Sequence, residues 1–225
     1  MLLTDVILEL FTFRNLKHVG NTDLSSLSES TDWQEIIKKW WGSIILLPFM
    51  AYQLHQAYWT LNFNIFFSIS YSFPFPVNVE KFLLNNFLLI VHEAGHTFFS
   101  IFGSRVITIL GGSLNEILLP ILIVIFTIFN RFIKGTQFSL YLLGSAWFSV
   151  AFYAADGGQR QLPLIGNLGK ESHDWYNLLY HFDMLDSDME IALTFVTIGI
   201  MIYLAAISVP LWLKRYQSLD LDLKL

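Results

Sequence analysis

Two histidines and a glutamate, His92, Glu93 and His96, stand within the pentapeptide HEAGH. On a helix the imidazoles fall at i and i+4, stacked on one face about a turn apart, with the carboxylate one position after the first. That is the pattern of a zinc site with a base built into it. Zinc takes neutral imidazole readily, and two nitrogens from one rigid turn leave room for a third protein ligand and a water. A glutamate beside that water accepts its proton, which makes Glu93 the candidate catalytic residue and His92 and His96 the candidate metal ligands. The competing reading is a buried polar patch that joins helices without metal.

The setting narrows the chemistry. The motif lies within residues 82–102, FLLNNFLLIVHEAGHTFFSIF, and as a helix this stretch spans roughly 30 Å, the thickness of a hydrocarbon core. His92 then sits near the bilayer midplane. A charged side chain at that depth costs at least about 2.5 kcal/mol, so such groups face the protein interior and mark a functional path.

The whole chain agrees with a membrane setting. Of its 225 residues 54% are hydrophobic and 14% charged, with 21 Phe, and the mean hydropathy is +0.53. A soluble domain carries about a quarter charged residues, so the composition is that of an integral membrane protein. The net charge of −5 offers nothing to nucleic acid. Without cysteine there is no thiolate ligand, and a metal must be held by nitrogen and oxygen. The opening residues, MLLTDVILELF, lack a basic stretch and a small-residue cleavage site, so no cleavable signal peptide is expected.

The expected fold is all-α, a polytopic bundle of about five transmembrane helices with six possible. An interfacial or cytosolic segment over residues 1–39 precedes a membrane-embedded domain over 40–213 and a polar tail over 214–225. In the first segment, residues 2–13 suit an interfacial amphipathic helix and Asp32 with Glu35 a capping box. The expected spans are about 41–60, 82–102, 106–130, 137–155 and 190–213. Residues 61–79, with Pro74 and Pro76, read as an interfacial or re-entrant connection. Counting Lys and Arg, five spans divide the 13 basic residues 7 to 6 and leave orientation open. Six spans divide the same 13 as 10 to 3, with the amino terminus inside.

The elements around the motif supply the remaining candidates. If the helix 82–102 rises and 106–130 descends, Asn115 and Glu116 lie near the level of His96. Gly111 and Gly112 let those helices approach closely. Glu116 is then a ligand, a partner of a ligating histidine or a substrate-facing acid, and Asn115 is placed to steady a substrate strand or oxyanion. The helix 137–155 ends at Asp156-Gly157-Gly158 on the same side, and the following connection carries His173-Asp174-Trp175. Asp156 and the His173-Asp174 pair are therefore two candidate sources of a third ligand. His18, His55 and His181 read as ordinary polar or interface residues.

With HEAGH on a membrane helix and Asp-Gly-Gly at the end of a later one, the chain resembles the site-2 protease class of membrane-embedded zinc metalloproteases. The resemblance implies that His92, His96 and Asp156 hold Zn2+ and that Glu93 activates water; Ala155 stands where that class has Leu. Over residues 85–185 the ordered blocks HEAGHTFFSIFG, GGSLNEILLP, YAADGGQRQLPLIG and HDWYNLL are also similar to a family of small bacterial membrane proteins related to those peptidases. That family's pattern has Gln where this chain has Glu116. The implied activity is hydrolysis of a peptide bond in or near the bilayer, on a transmembrane or membrane-adjacent polypeptide, in a bacterial inner membrane. Two other readings of the same cluster are a protein that transports or senses a metal ion or proton, and a non-catalytic pseudoprotease that holds transmembrane partners.

Overall fold

The computed structural model describes residues 33–63, 74–164 and 169–213. Six α-helices occur among them, with no strand: α1 (Trp33–Phe63), α2 (Val77–Phe99), α3 (Arg105–Phe129), α4 (Ile133–Ala155), α5 (Asp174–His181) and α6 (Asp188–Trp212). The expected surface helix at 2–13, His18, Asp32 of the capping box, most of the 61–79 connection and the polar tail lie outside the described residues. The chain divides into two compact units, residues 1–38 and 39–225. Of the first, the described part is the opening of α1.

In α1, Ser43, Leu46, Met50, Gln53, Ala57 and Thr60 are buried while Trp41, Ile44, Ile45 and Leu47 are exposed. Steps of three and four residues keep the buried positions on one stripe, as a 3.6-residue period requires. In α2, Val77, Lys81, Leu88, Val91, His92 and Gly95 make the equivalent stripe. His92 is therefore on the packed face of its helix. Glu93, a hundred degrees further round, is exposed.

Helix α4 is the centre of the fold. Of its apolar window 72% is buried, against 33% and 28% for those of α3 and α6. Phe148 and Ala146 are fully buried, and the Phe148 ring stacks on Tyr203 of α6 with centroids 5.3 Å apart. Leu46 and Met50 of α1, Val124 of α3 and Val196 and Val209 of α6 complete this core. Polar side chains tie the helices where burial in lipid gives no net hydrophobic gain. Gln53 Nε2 donates to Ser145 Oγ at 3.0 Å, Ser145 Oγ bonds Tyr203 Oη at 2.8 Å, and Gln137 Nε2 donates to Ser43 Oγ at 2.7 Å.

Among the described residues three helical segments are long and apolar enough to cross a membrane: Arg105–Phe129, Ile133–Ala155 and Leu185–Trp212. Five had been expected. Residues 41–60 do lie in a helix, α1, and 82–102 lie in α2 with the short 3-10 turn Ser100–Phe102 after it. Both fall short on hydropathy rather than length. In α2 the cause is the site itself, since Asn85, Asn86, His92, Glu93 and His96 offset the leucines and phenylalanines around them.

Candidate metal centre

The site begins with a tight turn. Gly103, at φ 66°, closes the 3-10 turn after α2, and the Ser104 side chain caps α3 by accepting from the Ile107 amide. Left-handed backbone at Gly103 costs nothing in Cβ strain, so the chain reverses at once and α3 packs antiparallel against α2. Gly95 sets the spacing. A Cβ there would lie 2.3 Å from the Gly111 carbonyl oxygen, so no larger residue permits this helix separation.

That approach brings His92 and His96 against α3. The Nδ1 atom of His96 lies 2.9 Å from the Thr108 carbonyl oxygen, and Nδ1 of His92 lies 3.2 Å from Glu116 Oε2. A carbonyl and a carboxylate are acceptors, so both rings carry a hydrogen on Nδ1 and turn Nε2 the other way. The Nε2 atoms meet at Asp174 Oδ2, 3.0 Å from His92 and 3.1 Å from His96. Beside them Gly112 leaves a hollow: a Cβ at that position would be 2.5 Å from His92 Nε2 and 2.7 Å from His96 Nε2.

Asp174 is delivered by the connection after α4. It is the first residue of α5, and His173 caps that helix, Nδ1 accepting from the Tyr176 amide at 3.2 Å. Nε2 of His173 lies 3.2 Å from Asp156 Oδ2. Asp156 is fully buried and also accepts from the amides of Gln161 at 2.7 Å and Leu162 at 2.8 Å. Trp175 Nε1 donates to Ser113 Oγ at 3.1 Å and pins α5 to α3.

Of the candidates, His92, His96 and Asp174 thus come together, with their ligand atoms all within 4.8 Å of one another. Asp156, expected as the third ligand, is not in this group. Its oxygens are taken up by the amides of Gln161 and Leu162 and by His173, the neighbour of Asp174. His173, the other alternative, has both nitrogens committed as well. Glu116 stands behind His92, and Asn115 donates from Nδ2 to the Val91 carbonyl at 2.7 Å, tying α3 to α2. His55 bonds Trp59 on the exposed side of α1. The sequence reading missed the Thr108 carbonyl, which no residue type announces, and Tyr153, whose hydroxyl accepts from the Asp174 amide at 3.2 Å. Its signal was position, three residues before Asp156 in the last turn of α4.

The electrostatics of the cluster demand a cation. Two Nε2 lone pairs and a carboxylate oxygen face one another at hydrogen-bond distance, and this is repulsive unless protons or a metal ion lie between them. With protons there, burial opposes the charge of Asp174, but hydrogen bonds from His92 and His96 outweigh it and hold the carboxyl below its ordinary range. A divalent ion would satisfy the same three atoms at once. Two imidazoles whose far nitrogens are anchored and one carboxylate, against a Gly112 with no Cβ to crowd them, make a nitrogen and oxygen donor set that could hold a divalent metal ion. The His96 side chain is 23% exposed against 8% for His92, so the centre opens on the His96 side. No family model, curated protein or solved structure matches this chain, so its assignment rests on this geometry.

Proposed function

We propose that this protein is a membrane-embedded zinc metalloendopeptidase, of site-2 protease-like type, that hydrolyses a peptide bond in or near the bilayer. The observation that carries the reading is the convergence of His92 Nε2 and His96 Nε2 on Asp174 Oδ2 while both Nδ1 atoms are held from behind. In this proposal His92, His96 and Asp174 hold the metal, and α1 and α2 cross the membrane beside the three more apolar helices, making five spans in a bacterial inner membrane.

When bound, zinc supplies Lewis acidity, lowering the pKa of water and polarising a carbonyl. The chain supplies the rest. Glu93 takes the proton from the attacking water, a carbon–oxygen bond forms at the scissile carbonyl, and Glu93 returns the proton to the departing amine as the carbon–nitrogen bond breaks. Its exposed position suits a base that meets substrate arriving from outside the helix pair. Glu116 and the Thr108 carbonyl keep the imidazoles turned inward. The polypeptide substrate enters on the His96 side.

Passage of an ion or proton through the same cluster is the rival reading, and one feature favours hydrolysis over it. One turn before His92, Leu88 packs with Leu142 and Ala146 as a buried apolar layer. On the far side of that layer along α2, past the exposed Asn85 and Asn86, the next polar groups turned toward the packed side are Glu80, bonded by the Tyr141 hydroxyl at 2.5 Å, and Lys81, bonded to Gln56. An apolar layer between polar groups supports a blind site rather than a continuous path.

Metal content of the detergent-purified protein by plasma mass spectrometry tests the reading. About one zinc per chain is expected in the wild type, lost in His92→Ala with His96→Ala. Glu93→Gln should keep the zinc and lose turnover of labelled casein by roughly 10²- to 10⁴-fold. A wild-type protein that takes up no zinc when it is supplied, or a Glu93→Gln variant as active as wild type, would overturn it.

A further inference from the structure

We propose that the Tyr153 hydroxyl is a catalytic hydrogen-bond donor, placed to hold the oxygen on which negative charge develops when the peptide carbonyl is attacked. The inference rests on the hydrolytic reading above and names a residue that the motif does not contain.

Tyr153 is fixed in direction by two imidazoles. Its ring centroid lies 4.3 Å from that of His173 and 5.7 Å from that of His92. At the tip, the phenolic oxygen accepts the Asp174 amide hydrogen at 3.2 Å. This uses a lone pair and leaves the hydroxyl's own hydrogen, which no group accepts among the described residues. A half-buried phenol normally finds a partner for that hydrogen. The same bond sets the hydroxyl at the first residue of α5, the residue whose carboxylate meets His92 and His96.

The chemistry wants a donor at that place. As water's oxygen bonds to the carbonyl carbon, the π pair moves onto the carbonyl oxygen, and a fixed donor lowers the barrier by binding the oxyanion more tightly than the ground-state carbonyl. The donor must keep its proton throughout, since Glu93 already accounts for the proton that travels from water to amine. A phenol, with an ordinary pKa of about 10, does so. Asn115, the other candidate for this role, has its amide nitrogen on the Val91 carbonyl.

Tyr153→Phe keeps the ring against both imidazoles and removes only the hydroxyl. Three quantities should be read in wild type and variant: zinc per chain, turnover of labelled casein, and calorimetric affinity for a Phe-Phe phosphinic tetrapeptide, whose phosphinate copies the tetrahedral oxyanion. The expected result is unchanged zinc, unchanged KM, and kcat and phosphinate affinity both lower by about 10²-fold. Equal kcat and equal phosphinate affinity would overturn the proposal, as would loss of zinc in step with activity, which would make Tyr153 a strut for Asp174. A wild type without zinc or turnover would instead sink the hydrolytic reading, a failure visible before the variant is made.

Discussion

Adding a single methyl group at Gly112 tests how firmly the two imidazoles are held. The new Cβ would lie 2.5 Å from His92 Nε2 and 2.7 Å from both His96 Cε1 and His96 Nε2, close to an ångström inside ordinary contact. The rings have little freedom to yield, because Nδ1 of each is held, at 3.2 Å to Glu116 and 2.9 Å to Thr108. Disturbing the outer partners of metal-bound histidines typically costs 10- to 100-fold in affinity, and moving the ligand atoms themselves should reach the upper end, about 100-fold. The helix gains about 1 kcal/mol in propensity from alanine, set against about 1–3 kcal/mol for overpacking at the imidazoles. The consequence is measurable by melting in detergent at fixed free zinc. At a zinc concentration 100 times the wild-type Kd, binding stabilises the wild type by about 2.7 kcal/mol, and a 100-fold weaker site gains only about 0.4 kcal/mol. Gly112→Ala should therefore melt within about 2 kcal/mol of wild type in chelator, on the low side, and lose most of the zinc-dependent rise in Tm. A variant that keeps the full rise would refute the reasoning, since the imidazoles would then not be held where the structure has them.

The other predictions concern the frame around the centre. Asp174→Ala should abolish stoichiometric zinc in a chelator competition, whereas Asp156→Ala should bind zinc no more than about 100-fold more weakly and lose about 1–3 kcal/mol of stability for each loop amide left unpaired; the reverse order would restore Asp156 as the ligand. Gly95→Ala, whose Cβ would meet the Gly111 carbonyl, should cost about 1–3 kcal/mol in a thermal melt by forcing α2 off α3. Gly103→Ala has open space around it and only its φ of 66° to lose, so about 1 kcal/mol with zinc content unchanged is expected. Stripping metal with a chelator should lower Tm in wild type and leave the His92→Ala with His96→Ala variant unmoved.

Much of the arrangement was legible before any coordinates. Buried steps of three and four in α1 and α2 follow from where the chain puts its polar residues, and the pairing of α2 with α3 follows from a short turn and small residues at Gly95, Gly111 and Gly112. Which carboxylate meets the two histidines was not legible, because Asp156 and Asp174 are both carboxylates on the same end of the bundle. What distinguishes them is backbone: the amides of Gln161 and Leu162 turn onto Asp156, and no side-chain pattern marks those donors. Membrane crossing was hard to count for a related reason. The residues that give α2 its chemistry also lower its hydropathy, so its composition alone leaves its place in the membrane ambiguous.

His92 and Asp174 lie 82 positions apart in the chain. During synthesis α2 and α3 are complete long before α5 exists, and until then the two imidazoles offer a partial, two-nitrogen site. The carboxylate that joins the two imidazoles thus arrives only after four longer helices have been made, with α6 still to follow.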